Sequence, residues 1–558
     1  MAASYLNKLN PVPGFSEYSG PYKVGTVDVE IPVAELESPA PAPDGVDIET
    51  VQFRIFYPAQ PDSKGKKITW LPAPQRNHLS AYIKFLGVGT LVAEAVSFLP
   101  RHLHYTTIPV IKNAPILEPD TPNKRWPTAI FSHGLGGSRN AYSQIVGSLA
   151  SHGVVVICPE HRDGSAVASF VRIPSEQNRY FIRNTRKIIP YQRIPHDATE
   201  EVHEARTAQL RIRLWELGLI HDAILGIDEG LARTNLNTST PSLDQFVNQL
   251  NVHDPGSIIF AGHSFGAATM VQFLKSVYYA GSPEVAAMET PLYIPSRESS
   301  VCKQVTCKNV TILLDMWCFP LLAKSAKALF NLPLPVYADS PSAPGGNGLL
   351  AVESEAFFKW KEHLHATARV LSPEPSANVV EPTAYERHSG VKLPEPNFFY
   401  VQHSSHLNQS DFGVLFPWLT KKVFGSEEPE RALRLNLRAI LQVLRVNDVP
   451  IARTWVGDLV DGTHVGKAGA SGEGLSAGNK GLDDGIKDDK AIFDRSGNSG
   501  VEAWSWIDIV GMGDLVGDFG ATKSDTTAVE AQESEMADEI EPQVSNDQAV
   551  KAVVTASA

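Results

Sequence analysis

Residues 257–266 read Ser-Ile-Ile-Phe-Ala-Gly-His-Ser-Phe-Gly, and this stretch decides the fold. Its apolar, β-prone beginning leads directly into a G-x-S-x-G motif, and a helix-like stretch (267–279) follows. A serine placed between a strand and a helix lies on a very tight turn. Its neighbours in the motif, Gly262 and Gly266, must therefore be almost free of side chain. The pattern predicts a nucleophile elbow that exposes the hydroxyl of Ser264 above a sheet.

A serine nucleophile needs a histidine base and an acid that orients the histidine. In an α/β-hydrolase these follow the elbow in the order acid, then histidine. Asp315 ends a predicted strand (310–314), and both His403 and His406 follow a later one (398–402). The residues alone therefore leave two candidates for the base.

The acid also has rivals on the next predicted strand along the chain. Glu353 and Glu355 follow the apolar run 349–352, and this fold can place its acid there as well. The position of the acid is thus open between these two residues and Asp315.

An oxyanion hole requires two backbone N–H groups that point at the developing negative charge. The short strand 128–131 runs into Ser-His-Gly-Leu-Gly-Gly (132–137), a glycine-rich loop of the type that supplies one donor. We expect the N–H of Leu135 to be that donor and the N–H of Phe265, beside the nucleophile, to be the second. The ring of His133 is expected to shape the loop.

The motifs together resemble the platelet-activating factor acetylhydrolases, the calcium-independent phospholipase A2-type lipases of the plasma and intracellular group. The similarity covers roughly residues 15–445. The matching segments are Phe131-Ser-His-Gly-Leu-Gly136, Ala150-Ser-His-Gly153, Glu160-His-Arg-Asp163, Gly262-His-Ser-Phe-Gly-Ala-Ala-Thr269, Leu314-Asp-Met-Trp-Cys-Phe-Pro320 and Ser405-His-Leu-Asn-Gln-Ser-Asp-Phe412. The fifth and sixth segments are far more specific than G-x-S-x-G.

The resemblance assigns roles by position. It implies Ser264 as nucleophile, Asp315 as acid and His406 as base, in preference to His403. It also implies hydrolysis of an acetyl, short or oxidised sn-2 chain of a phospholipid, with no metal and no cofactor. We interpret the segment Glu160–Asp163 as a salt-bridged turn, since adjacent ligands on one loop rarely form a metal site.

The chain divides by composition into two parts. We predict one α/β-hydrolase domain over 1–450, with a mainly parallel sheet and helices on both faces. Residues 451–558 carry 20 acidic and 8 basic residues, which is nearly all of the net charge of −13. Their Gly-, Ser-, Asp- and Ala-rich composition predicts a largely disordered tail whose removal leaves an active enzyme. Trp504–Val510 is the exception: it could be a short helix that docks on the body or on a partner, or only a weakly structured apolar patch.

The segment between the elbow and Asp315 is longer than the resemblance leads us to expect. The excess lies in 280–309, which proline and serine residues interrupt. We interpret it as an added loop that could reshape the mouth of the pocket.

The composition and one amphipathic stretch indicate the binding partners and the cellular compartment of the protein. An acidic tail argues against nucleic-acid binding, and protein partners are not indicated. Four cysteines without a C-x-x-C pair, and no basic start followed by an apolar run, favour a cytoplasmic protein. Apolar residues at helical spacing within 79–101 predict either a core helix or an interfacial helix that lies on lipid, with Lys84 and Arg101 flanking it.

Two other functions remain open from the sequence. A short-chain carboxylesterase acting on soluble esters would use the same three side chains. A hydrolase-fold binding protein without activity would have lost one of them, and all are present. Dependence of activity on substrate aggregation separates the first alternative from a lipase.

Overall fold

The structure, a computed structural model, describes most of the chain. The described residues are 14–87, 89–90, 93–94, 97, 101–176, 186–240, 242–387, 390–417, 420–421, 428–459, 485–497 and 500–513.

Fourteen strands lie within the described residues. They are β1 (Lys23–Pro32), β2 (Thr50–Ala59), β3 (Lys67–Thr69), β4 (Thr107–Lys112), β5 (Trp126–Ser132), β6 (Val155–Pro159), β7 (Ala168–Arg172), β8 (Arg186–Pro190), β9 (Leu250–Asn251), β10 (Ile259–His263), β11 (Thr311–Leu314), β12 (Leu349–Ser354), β13 (Asn397–Val401) and β14 (Trp504–Trp506).

Twelve of these strands form one sheet. Its order is β14-β13-β12-β11-β10-β5-β6-β2-β1-β4-β3, with β9 pairing to β5, while β7 and β8 form a separate hairpin. The run from β13 through β6 is parallel, and antiparallel pairs join β14 to β13 and β2 to β6. The prediction of a mainly parallel α/β sheet is therefore confirmed, and the order is that of an α/β-hydrolase.

The α-helices connect and cover the strands. They are α1 (Gln75–Phe85), α2 (Arg101–Tyr105), α3 (Ser143–Ser151), α4 (Glu200–Glu229), α5 (Phe265–Tyr278), α6 (Pro283–Ala286), α7 (Ser300–Gln304), α8 (Lys327–Phe330), α9 (Glu355–Lys359), α10 (Lys361–Leu371), α11 (Asp411–Leu415) and α12 (Pro429–Val446).

Strand alternation divides the apolar core between the two faces of the sheet. In β5, Ile130 belongs to the cluster that contains Leu214 of α4. Its neighbour Phe131 belongs to the cluster that contains Leu149 of α3 and Leu441 of α12. Because successive strand side chains point to opposite faces, both faces of each central strand are apolar and both carry helices.

Part of the segment 79–101 lies within the described residues, and that part contributes to the core. Leu79 and Ile83 of α1 are buried, which fits the core alternative for this helix. The remainder of the apolar pattern falls largely on residues outside those described. Among the described residues, no helix combines the length and apolarity needed to cross a bilayer.

The predicted added loop contains the two short helices α6 and α7. The side chain of Gln304, at the end of α7, donates to the carbonyl of Val252 at 2.8 Å and accepts from the N–H of Ile258 at 3.2 Å. Both partners precede β10, whereas Ser264 follows it. The end of the loop therefore lies near the amino end of β10, whereas the elbow lies at the carboxyl end. This position does not support the expected role of the loop at the pocket mouth.

The described C-terminal residues join the main sheet. Trp504–Trp506 pairs antiparallel with β13, where Trp506 lies opposite Phe399. Arg438 of α12 and Asp489 form a buried ion pair at 2.8 Å, and Trp504 stacks on Phe399 with ring centroids 5.0 Å apart. The segment docks on the body, which the sequence had left open. The helix considered for it is wrong, because the open edge of β13 offers backbone partners to an extended chain.

Truncation tests the importance of this docked segment. Removing residues 451–558 takes Ile492, Trp504, Ile507 and Ile509 out of the core, where all four are buried. Each large apolar side chain contributes about 1.5–3 kcal/mol when fully buried. We expect a clear fall in melting temperature, measured by calorimetry, contrary to the expectation from composition. A chain ending at residue 513 is the control and should melt like the full chain; equal melting of all three would contradict the packing described.

Candidate active site

Ser264 lies at the turn between β10 and α5, with φ 56° and ψ −124°. A Cβ on Gly262 would lie 2.5 Å from the carbonyl carbon of Gly266, and one on Gly266 would lie 2.1 Å from the carbonyl oxygen of Ser132. Both glycines are therefore required by contact. Ser264 Oγ is buried without a hydrogen-bond partner among the described residues.

Asp315 follows β11, the strand next to β10, and its backbone also has a positive φ of 38°. Its Oδ2 lies 3.0 Å from Nδ1 of His406, and its Oδ1 accepts from the N–H of Ser354. Burial by itself would raise the pKa of Asp315. The hydrogen bond from His406, the charges of His406 and His263, and the Ser354 N–H outweigh it and hold the pKa below its ordinary value. The structure thus keeps this acid ionised beside the imidazole.

The imidazole of His406 lies between two rings. Phe357 of α9 stacks on it in parallel at 4.5 Å between centroids, and His263 lies on it at 4.3 Å. Polar side-chain atoms of His263, Asp315 and His406 lie within 4.8 Å of one another. The ring is therefore held in one plane and one direction.

The rival residues occupy other positions. The side chain of His403 is 67% exposed and its Nδ1 lies 3.8 Å from Glu355. Glu355 accepts from the N–H of His403 at 2.6 Å and pairs with Lys359 at 2.8 Å. Neither side chain approaches the elbow through any of these contacts. Glu353, in contrast, is buried beside Asp315.

The loop after β5 crosses in front of Ser264. A Cβ on Gly134 would lie 2.8 Å from the Cβ of Ser264, so the loop approaches closely only because this residue is glycine. The N–H of Gly134 donates to the hydroxyl of Tyr142 at 3.0 Å, and that of Gly136 donates to the carbonyl of Ser165 at 2.8 Å. Leu135 lies between these two engaged amides.

The second expected donor begins a helix. Phe265 is the first residue of α5, and the first N–H groups of an α-helix have no partner within the helix. An N–H at this position also lies at the positive end of the helix dipole. The N–H groups of Phe265 and Leu135 stay the predicted oxyanion donors.

Charged residues behind the loop are paired, as the turn interpretation predicted. Glu160 pairs with Arg139 at 2.8 Å, and Asp163 pairs with Arg213 at 2.7 Å. The ring of His133 hydrogen-bonds the carbonyl of Gly134 at 2.8 Å, and burial, with the charge of Arg213, lowers its pKa to about 4. His133 is therefore a neutral structural ring in the loop.

Sequence comparison identifies the family. A family model described as platelet-activating factor acetylhydrolase, isoform II, matches residues 9–336. The chain belongs to this family. A putative phospholipase A2 of Schizosaccharomyces pombe is 28% identical over 450 residues, which is 77% of this chain and 92% of that protein.

Named acetylhydrolases match over a shorter length. The platelet-activating factor acetylhydrolase of Canis lupus familiaris is 33% identical over 223 residues, and that of Bos taurus 34% over 223 residues. Each alignment covers 40% of this chain and 46% of the relative. This chain thus spans about half the length of these two relatives. Membership of the acetylhydrolase family makes the chain a serine hydrolase.

Solved structures show more distant likeness. A ferulic acid esterase from Streptomyces cinnamoneus matches with 14% identity and a TM-score of 0.44, covering 78% of this chain and 93% of that one.

Three residues at the candidate site carried no clear signal in the sequence. Tyr142 joins the oxyanion loop to the elbow, because its hydroxyl accepts from Gly134 N–H and lies 2.8 Å from Nδ1 of His263. Phe357 covers His406, and Arg213 lies under Phe265. Each comes from an element distant in sequence, and only the G-H-S-F-G motif pointed to His263.

Replacing the acid tests its assignment. Asp315→Asn preserves the shape of the side chain but removes the charge that fixes the tautomer of His406. We expect kcat to fall by about 10⁴, as in the best-studied triad, with the fold unchanged by circular dichroism. Glu355→Gln is the control and should retain activity, because it removes the ion pair with Lys359 but leaves an amide oxygen that can accept from the His403 N–H. If Glu355→Gln were inactive and Asp315→Asn active, the acid would have to be assigned to Glu355, after β12.

Proposed function

We propose that this protein hydrolyses the sn-2 ester of platelet-activating factor-like phospholipids that carry an acetyl or another short or oxidised chain. The observation that carries the proposal is the 3.0 Å hydrogen bond between His406 and Asp315 beside the strained Ser264, in a member of this family. The family comparison supports the substrate class, and the local geometry supports the reaction type.

The reaction proceeds through an acyl-enzyme. His406 takes the proton of Ser264 as Oγ attacks the ester carbonyl, and the N–H groups of Leu135 and Phe265 bind the oxyanion. His406 then gives its proton to the departing lysophospholipid oxygen. Water, deprotonated by the same imidazole, releases the short acid and restores the serine. Asp315 keeps the imidazole in the required tautomer and stabilises the imidazolium.

These steps use protein groups alone. The nucleophile is a side chain and the oxyanion partners are N–H dipoles, so each charge that develops has a partner already in place. Activity in excess EDTA is the corresponding expectation for the proposed mechanism.

We further propose that the enzyme works at a lipid surface from the cytoplasm. The described cysteines are free thiols, which suits a reducing compartment. Phe85, at the end of α1, lies against the oxyanion loop, since a Cβ on Gly136 would come within 2.7 Å of its ring. The end of α1, within the amphipathic segment 79–101, therefore adjoins the site. Tyr105, just beyond that segment in the sequence, is 69% exposed.

The nucleophile and the substrate are tested together. Ser264→Ala should abolish covalent labelling by an organophosphate and hydrolysis of phospholipids with a short sn-2 chain, because no other group can form the acyl-enzyme. The measurement is release of the sn-2 acid from a panel of phospholipids that differ only in that chain. Labelling of a different serine would refute the assignment. Activity confined to soluble esters would instead indicate a carboxylesterase.

The lipid contact is tested with an exposed side chain. Tyr105→Ser removes part of an apolar contact whose full burial is worth roughly 1.5–3 kcal/mol, so vesicle binding should weaken several-fold. Hydrolysis of vesicle-borne substrate should slow, while hydrolysis of p-nitrophenyl acetate stays unchanged. Leu231→Ser is the matched control, because Leu231 is 50% exposed and follows α4 near Asp228. Asp228 pairs with Arg125, which immediately precedes β5, so this region lies at the opposite end of β5 from the loop 132–137. Equal loss of vesicle binding in both variants would show that the lipid contact does not depend on Tyr105.

A further inference from the structure

Glu353 is buried beside Asp315, and the mechanism above does not use it. Strands β11 and β12 are in parallel register, with Leu314 opposite Val352. The N–H of Asp315 donates to the carbonyl of Val352 at 2.8 Å, and the N–H of Ser354 donates to Asp315 Oδ1. The peptide groups on both sides of Glu353 therefore hold the acid, and its side chain emerges between them.

The Glu353 carboxyl is enclosed. Glu353 is 1% exposed, and its carboxyl lies beside that of Asp315. Its Oε2 has no hydrogen-bond partner within the described part of the chain. An ionised carboxylate in this position would leave a charged oxygen buried and unsatisfied, which costs far more than an unsatisfied neutral carbonyl oxygen.

Neighbouring charges also favour the neutral, protonated form of Glu353. Within the described part of the chain, the carboxylate of Asp315 and the thiol of Cys318 lie close enough to interact with Glu353. Burial, with the negative charge of Asp315, raises the pKa of Glu353 well above its usual range. Two buried carboxyls in contact do not both ionise. Asp315 keeps the charge, since His406, His263 and Ser354 favour its ionised form.

We propose that Glu353 is a positioning residue that, as a neutral carboxylic acid, donates its O–H to the carboxylate of Asp315 and holds that carboxylate facing His406. The inference rests on the proposed function in taking Asp315 as the triad acid. Asp315 then accepts from three directions: the imidazole Nδ1–H, the Ser354 N–H and the Glu353 O–H. An α/β-hydrolase can carry its acid after either of two strands. Here the residue after β11, Asp315, supplies the charge, and Glu353 of β12 supplies a proton donor.

The donor affects both geometry and basicity. A third hydrogen bond limits rotation of the Asp315 carboxylate, and so fixes the direction in which it accepts from His406. It also draws electron density away from the carboxylate. Without it, the carboxylate attracts the imidazolium more strongly, so that the pKa of His406 rises and the acid limb of the pH profile moves to higher pH.

The experiment compares two replacements of similar size. Glu353→Gln keeps a neutral donor toward Asp315, whereas Glu353→Leu fills the space without one. Activity is measured as kcat and KM on p-nitrophenyl acetate across pH, with Glu355→Gln as control. For Glu353→Leu we expect kcat to fall about 10–100-fold at unchanged KM. The acid limb of kcat/KM should move upward by about half a pH unit or more. Glu353→Gln should retain most of kcat and the wild-type limb.

Infrared spectroscopy gives a readout that does not depend on the fold of the Leu variant. The spectrum of the wild type minus that of Glu353→Gln at neutral pH should contain the carbonyl band of a protonated carboxyl. Absence of this band would overturn the proposal, as would a Gln variant as crippled as the Leu variant. A Leu variant with lowered melting temperature but unchanged kcat and pH profile would show a space-filling role and also overturn it. Because the substrate is a soluble ester, failure of the phospholipid assignment would leave this test intact.

Discussion

The guanidinium of Arg213 links the loop after β5 to the start of α5. It is wholly buried in α4, pairs with Asp163 at 2.7 Å and donates to the carbonyl of His133 at 2.9 Å. Its carbon Cζ lies 4.2 Å from the ring centroid of Phe265. A buried charge is tolerated only when it is paired and fully hydrogen-bonded. The loop after β5, the turn after β6 and the start of α5 must therefore keep the positions that satisfy Arg213.

Backbone geometry imposes a second constraint at the same edge of the sheet. Ser264, Asp315 and His403 all have positive φ, of 56°, 38° and 56°, although none is glycine. Each follows a parallel strand at its carboxyl end, where the chain must turn abruptly to present a side chain or begin the loop that carries one. Such conformations cost of order 1–3 kcal/mol each and persist where surrounding contacts determine them. The paired turn behind the loop and the β11–β12 register supply those contacts.

Local features of the chain were predictable and distant pairings were not. Three features could be predicted from the sequence: the elbow, the strand before Asp315 and the loop of Leu135. Each depends on a local requirement, either a glycine or the end of a strand. Arg213 looks like any other basic residue on a long helix until its partners are known. Glu353 could be recognised as a rival acid, but its contact with Asp315 depends on strand register. The extended form of 504–506 depends on an edge strand far away in sequence, and a short apolar run does not distinguish helix from strand.

The pairing of β14 with β13 also has a consequence for how the chain is made. Gln402 and Ser505, which hydrogen-bond across this edge, are 103 residues apart. During synthesis β13 therefore emerges long before its neighbour, with its backbone groups unpaired and the apolar Phe399 uncovered on that side. A strand edge of this kind recruits other extended chains, and long-range pairing forms slowly. The nascent chain therefore passes through an interval in which the strand before His406 is open to misassociation.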